Sequence, residues 1–86
     1  MRFGYGTKAI ARVIVAQGYV KIENYQKAIE LCDLALKTEP QNVAALSIKA
    51  FSLIQLNREA EALKVLEILS EIDKGLAIQL RSLITP

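Results

Sequence analysis

Residues 25–40 read YQKAIELCDLALKTEP, and this stretch determines the fold of the chain. At helical spacing its apolar side chains form one stripe, while the charged side chains lie on the opposite face. Asn24 precedes the stretch in the N-cap position, and Pro40 ends it because proline cannot donate the next backbone hydrogen bond. Ala28 and Ala35 lie two turns apart on the apolar face, where small side chains allow another helix to approach closely. We therefore predict a helix that packs against neighbours.

The composition predicts one small domain spanning residues 1–86. Hydrophobic residues make up 52% of the chain and aromatic residues only 6%, so the core must consist of Leu, Ile, Val and Ala. This is a large apolar content for 86 residues, and we expect part of the apolar surface to meet a partner. The net charge is +2, with both signs interspersed along the sequence. A nucleic-acid or anionic-membrane partner is therefore not expected.

The reactive residue types are too few for catalysis. The chain contains no histidine and a single cysteine, Cys32, which lies on the apolar stripe of residues 25–40. We predict a buried structural thiol and no enzyme activity, metal site, cofactor or small-molecule substrate. The apolar stretch from Val13 to Val20 is too short to span a bilayer. The absence of a disulfide pair and of a membrane or secretory segment favours a cytoplasmic location.

Four further helices are expected around residues 25–40. Their predicted ranges are Thr7 to Ile22, Val43 to Leu56, Arg58 to Ile72, and Leu76 to Ile84. The first helix is apolar almost all round, so we expect neighbours on both of its sides. Gly18 in its middle predicts a close helix contact there, and Gly75 predicts a left-handed cap after the fourth helix. Residues 1–6 contain two glycines and are expected to be irregular.

Ala28 and Ala62 occupy equivalent positions 34 residues apart, and 34 is the period of the tetratricopeptide repeat. The first unit resembles that family at Ala16, Tyr19, Tyr25, Ala28, Ala35 and Pro40. The second unit departs from it, with Glu59, Leu69 and Lys74 at marker positions. The resemblance implies an all-α, right-handed helical solenoid. It has repeats at about residues 9–42 and 43–76 and a C-terminal capping helix at about 76–84.

In tetratricopeptide arrays the first helix of each pair lines the concave surface, which binds the partner. The corresponding groove residues in this chain are Ile10, Val13, Gln17, Val20, Ala44, Ser47, Phe51 and Ile54. The Lys, Asn and Arg residues with which the family clamps peptide carboxylates are missing at these positions. An apolar groove of this kind suits an amphipathic helix. Each Val, Ile or Phe that becomes fully buried contributes about 1.5–3 kcal/mol before the costs of association.

The whole chain is also similar to the small tetratricopeptide-type chaperones of the bacterial type III secretion needle subunit. The similar stretches are residues 52–59, 62–66, 69–73, 77–81 and 83–86. The resemblance implies that the groove holds the needle subunit's C-terminal amphipathic helix and prevents its premature polymerisation in the bacterial cytoplasm. It further implies a small helical co-chaperone, which would contact Ile14 and residues near the N-terminus.

Three alternatives remain at this stage. Ile10, Val13 and Ile14 could pack beneath residues 1–6, with Phe51 filling the small concavity, so that the apolar face is simply core. The same face could instead form a homodimer. The chain could also be a generic two-repeat adaptor, or a fragment of a longer array, that binds another helix or peptide.

Overall fold

The computed structural model describes residues 7–84, without the side chain of Thr7, and residues 7–84 contain only helices and turns. The five helices are α1 (Thr7–Lys21), α2 (Tyr25–Thr38), α3 (Val43–Gln55), α4 (Glu59–Ser70) and α5 (Lys74–Arg81). The predicted all-α solenoid fold is confirmed, with helix ends shifted by up to three residues. The predicted irregular segment at residues 1–6 and the chain end at Pro86 lie outside the described residues.

Short polar side chains begin three of the helices. The Asn24 side chain accepts a hydrogen bond from the backbone N–H of Lys27 at 3.2 Å, which confirms the predicted cap of α2. The Asn42 side chain accepts one from Ala45 at 2.9 Å, and Asp73 caps α5 in the same way. Each cap satisfies an N–H that the first turn of a helix leaves without a partner.

The turns α1–α2 and α3–α4 have the same geometry, 34 positions apart. Glu23 and Asn57 both adopt a left-handed backbone conformation, with φ angles of 62° and 60°. The next residue in each turn donates a backbone hydrogen bond to the carbonyl five positions earlier, at 2.8 Å in the first turn and 2.9 Å in the second. The period read from the sequence is therefore also a period of the backbone.

The helices form two layers. Each helix packs against the next along the chain, and α3 also contacts α1 and α5, which places α1, α3 and α5 in an inner layer. The helices α2 and α4 form the outer layer. One cluster of buried side chains joins α1, α2 and the start of α3, and a second joins α2, α3, α4 and α5. Fully buried alanines, among them Ala16, Ala28 and Ala50, let the helices approach closely.

Both glycine predictions are wrong. Among residues 7–84, no heavy atom outside its own helix backbone and chain neighbours lies within 4 Å of the position that a Gly18 Cβ would take, so Gly18 marks no close helix contact. Gly75 lies inside α5 and does not cap α4, because the Asp73 side chain starts the last helix one residue earlier. The expected cover on both sides of α1 is also missing from the described residues. Its outer face exposes Ile10, Ile14 and Ile22.

Candidate protein-binding site

An apolar groove opens on the inner layer, and we call it the inner groove. It has a volume of about 410 Å³ and is lined by Gln17, Val20, Lys21, Ser47, Ile48, Phe51, Leu76 and Leu80. Each of the three inner-layer helices contributes to it: α1 supplies three of these residues, α3 three and α5 two. Because five of the eight lining side chains are aliphatic or aromatic, the groove offers apolar surface to a partner rather than a polar pocket.

Phe51 is anchored by a contact with the first residue of α2. Its ring meets the ring of Tyr25 edge to face, with centroids 6.1 Å apart and planes inclined by 67°. Edge-to-face pairs of this kind are worth about 0.5–1.5 kcal/mol beyond the area that they bury. Phe51 is only half-buried. The contact with Tyr25 holds the Phe51 ring in one orientation, and the exposed part of the ring lines the groove.

The floor of the inner groove is held by the second core cluster. Leu76 and Leu80 are half-buried and pack against that cluster, which contains Leu46, Leu53 and Ala77. They therefore face the core on one side and the groove on the other. The Ser47 hydroxyl donates a hydrogen bond to the carbonyl of Ala44 at 3.0 Å, so this polar group is already paired inside its own helix. Lys21 is exposed and is the charged member of the lining set.

The structure brings together half of the residues predicted for the groove. Gln17, Val20, Ser47 and Phe51 all line it. Ile10, which is 59% exposed, and the exposed Ala44 lie outside it. Both side chains are accessible to a partner, so their predicted role in binding stays a prediction.

Two predicted groove residues are core residues, and the prediction is corrected there. Val13 is only 7% exposed and packs with Ala9 and Ala16 in the first core cluster. Ile54 is 8% exposed and belongs to the second cluster with Ile29. Their side chains are already covered by the chain itself, so they offer a partner almost no surface.

Four lining residues were not predicted: Lys21, Ile48, Leu76 and Leu80. The signal for Leu76 and Leu80 was present, because they lie one turn apart on the apolar stripe of the last helix. By itself, this spacing predicts only a capping helix whose apolar stripe covers the core. The structure shows that α5 is also a wall of the groove.

The outer face of α1 is a second exposed apolar surface. Ile14 is 60% exposed, and Val15 and Ile22 lie with Gly18 and Tyr19 around a shallow depression of about 270 Å³. We call this surface the α1 outer face. In the part of the chain that the structure describes, no helix covers it, whereas the opposite side of α1 is packed against α2.

A depression on the outer layer is less suited to an apolar partner. It has a volume of about 450 Å³, and Glu67, Glu71, Ser70 and Gln41 line it together with Ile68 and Ile72. At the other end of α4, charged groups of the outer layer are paired locally. The Arg58 guanidinium donates to Glu61 and to Gln26, and the bond from Arg58 lowers the pKa of Glu61.

The described residues offer little for catalysis. Cys32 is fully buried, and this burial raises the pKa of its thiol to about 12, with Asp33 adding to the rise and Lys49 opposing it. A neutral, inaccessible thiol is a poor nucleophile. Residues 7–84 hold no group of three or more His, Cys, Asp or Glu side chains placed to bind a metal ion. None of their helices combines the length and hydropathy needed to cross a bilayer.

Comparison with protein families gives one finding. A family model described as a tetratricopeptide repeat matches residues 19–85, a stretch that begins in the last turn of α1 and includes α2 to α5. Neither the curated proteins nor the solved structures contain a significant match.

Proposed function

The chain belongs to the tetratricopeptide repeat family, and from this premise we propose that it is a chaperone that holds a partner's amphipathic helix in its inner groove. Tetratricopeptide repeats are protein-interaction modules, so binding of a protein or peptide is the activity to expect. The finer proposal is that the partner is the needle subunit of a type III secretion system. The chaperone would then keep that subunit from polymerising in the bacterial cytoplasm.

The observation that carries the proposal is the apolar inner groove with Phe51 at its wall. A helix laid into a groove buries side chains at spacings of three and four residues. Val20, Ile48 and Phe51 offer such a helix three apolar contacts on two neighbouring helices, and α5 adds two leucines. These side chains are already half-buried, so each gains only part of the about 1.5–3 kcal/mol of full burial, and together they offset part of the costs of association.

The choice of a needle subunit rests on the similarity of residues 52–59 and 77–81 to its chaperones. A subunit that polymerises through an apolar helical face must have that face covered before export. The inner groove is suited to this task because it would replace the subunit–subunit contact with a chaperone–subunit contact. Sequestration requires no catalytic group, and the proposal assigns none.

The same proposal assigns the α1 outer face to a small helical co-chaperone. Ile14 is exposed on this face, and the depression beside it shares no lining residue with the inner groove, so we expect both proteins to bind at once. Burial of a large exposed apolar patch is a common reason for an obligate complex. The co-chaperone would thus cover what the described part of the chain leaves open.

Co-expression tests the proposal. Together with a needle subunit and its co-chaperone, the full chain should form a 1:1:1 complex in size-exclusion chromatography with light scattering. Phe51→Glu should release the needle subunit but keep the co-chaperone, and Ile14→Glu should do the opposite. Leu63→Glu, an exposed apolar position on α4, is the control and should retain both. A chain that stays monomeric in the presence of both proteins would refute the assignment.

The second candidate is a generic tetratricopeptide adaptor for another helix or peptide. It uses the same inner groove and is favoured by the family match alone, which names no partner. Pull-down from the native cytoplasm with mass spectrometry distinguishes the two. Under the adaptor alternative, Phe51→Glu abolishes capture of a protein that is unrelated to secretion needles.

A further inference from the structure

Charge is distributed by layer in this fold, although the two signs are interspersed along the sequence. The inner-layer helices α1, α3 and α5 carry six basic residues and no Asp or Glu. The nine acidic residues of the chain all lie on α2, on α4 or in the turns. The helices that form the inner groove therefore carry only basic charges, whereas the outer-layer helices carry five acidic and three basic residues.

Not all six basic residues are equally available to the groove. The Lys49 ammonium lies 2.6 Å from a carboxylate oxygen of Asp33 on α2, and the Arg12 guanidinium donates to the carbonyl of Leu34 on the same helix. Both are thus directed to the outer layer. Lys21 lines the groove itself and is exposed. Among the eight lining residues it is the single charge, and no carboxylate opposes it.

We infer that the helix bound in the inner groove is acidic, with Asp or Glu flanking its apolar stripe and one carboxylate placed against Lys21. The inference rests on the proposed function and specifies the chemistry of its partner. Complementary charges at the rim of an apolar contact raise the association rate and suppress wrong partners. A groove formed by basic helices, with Lys21 as the one charged side chain among its eight lining residues, discriminates in this way against basic helices.

The same charge distribution disfavours two other occupants. A second copy of the chain that docked groove to groove would place basic helices against basic helices, with like charges opposed. A nucleic acid needs repeated basic contacts along its phosphates, whereas five of the eight lining residues are apolar. The apolar lining and the basic surroundings together fit an acidic amphipathic helix.

Two designed peptides of about 18 residues test the inference, because such a helix spans three packed helices. They share one Leu/Ile stripe and differ only in Glu or Lys at the flanking positions. Titration calorimetry with the full chain should give at least about tenfold tighter binding of the Glu peptide at 50 mM salt. The difference should shrink at 500 mM salt, where exposed charges are screened.

Lys21→Glu and Lys37→Glu form a matched pair of variants. Both replace an exposed lysine in the last turn of its helix, but Lys37 lies on the outer-layer helix α2. Lys21→Glu should reduce the preference for the Glu peptide at least about threefold, and Lys37→Glu should change it less than about twofold. Equal losses in the two variants would show a nonspecific charge effect and overturn the inference.

The remaining outcomes separate the inference from the proposed function. If both peptides bind equally well, or the Lys peptide binds better, the acidic-partner inference fails and the apolar groove stands. If neither peptide binds, the proposed function fails with it. Displacement of the Glu peptide by a single-stranded oligonucleotide at equal concentration would overturn the inference in favour of a nucleic-acid partner.

Discussion

Replacement of Phe51 by alanine should weaken partner binding while the protein stays folded. In the free protein the substitution removes an edge-to-face contact with Tyr25, worth about 0.5–1.5 kcal/mol, and part of the ring's buried area. The loss should stay below the 3–5 kcal/mol that is typical of truncating a fully buried Phe, because Phe51 is only half-buried. When the partner binds, the part of the Phe51 ring that is exposed in the free protein becomes buried as well. Because only that remainder is newly buried, we expect a loss of about 0.8–1.5 kcal/mol in binding free energy, or about 4- to 13-fold in Kd.

Urea denaturation followed by circular dichroism measures the stability, and calorimetry with an amphipathic helical peptide measures Kd. Leu53→Ala is the matched control, since Leu53 is a fully buried neighbour on the same helix. It should lower the free energy of unfolding by about 2–5 kcal/mol and leave the Kd of the folded protein nearly unchanged. A Phe51→Ala variant that behaves like Leu53→Ala would refute the reasoning and identify Phe51 as a core residue that only fills the concavity.

Three further predictions concern the scaffold. Ser52→Ala should raise the free energy of unfolding by about 1 kcal/mol in urea, because among the described residues its buried hydroxyl has no hydrogen-bond partner; a loss would mean that a partner exists. Gly18→Ala should raise the free energy of unfolding by about 1 kcal/mol, since no neighbouring side chain among residues 7–84 lies within 4 Å of a Cβ there, and a drop in the thermal midpoint would contradict this. The Cys32 thiol has a pKa of 9.0 in the unfolded chain, and burial raises this pKa to about 12 in the folded protein. Between these two pH values the thiol ionises only when the chain is unfolded. Stability should therefore fall with rising pH by up to about 1.4 kcal/mol per unit, an effect that Cys32→Ala should remove and that denaturation at pH 8 and 10 measures.

The local features of the fold could be predicted from the sequence. Asn24 and Asn42 begin helices because their side chains accept hydrogen bonds from N–H groups three residues away, and such contacts depend only on the neighbouring sequence. The 34-residue period is local in the same sense, since it reappears as one turn geometry at Glu23 and at Asn57. Gly75 was misread because two local signals competed, and the Asp73 cap prevailed.

The groove could be predicted only in part, because its lining depends on how each helix is rotated in the packed structure. Val13 and Gln17 are one turn apart on α1, yet the first is core and the second lines the groove. The prediction for Val13 rested on hydrophobicity, which does not distinguish a core residue from a groove residue. The contribution of α5 could not be predicted for the same reason. An apolar stripe at Leu76 and Leu80 fits a capping helix as well as a groove wall, and only the packing distinguishes the two.

The outer-layer acidic residues illustrate a further limit of sequence reading. Along the chain, basic and acidic residues alternate closely enough to indicate no charged surface. Assignment of residues to the two layers required the contacts of α3 with α1 and α5, which are tertiary information. The basic charge of the inner-layer helices can be recognised only after α1, α3 and α5 have been assigned to one layer.

The most direct test of the account is the location of partner binding on the folded chain. Amide chemical shifts of the ¹⁵N-labelled protein should be recorded during titration with the C-terminal helix of a needle subunit. The account predicts that the largest shift changes occur at Val20, Ser47, Phe51 and Leu80, which surround the inner groove. Saturation with changes confined to α2 and α4, or no change at all, would contradict it.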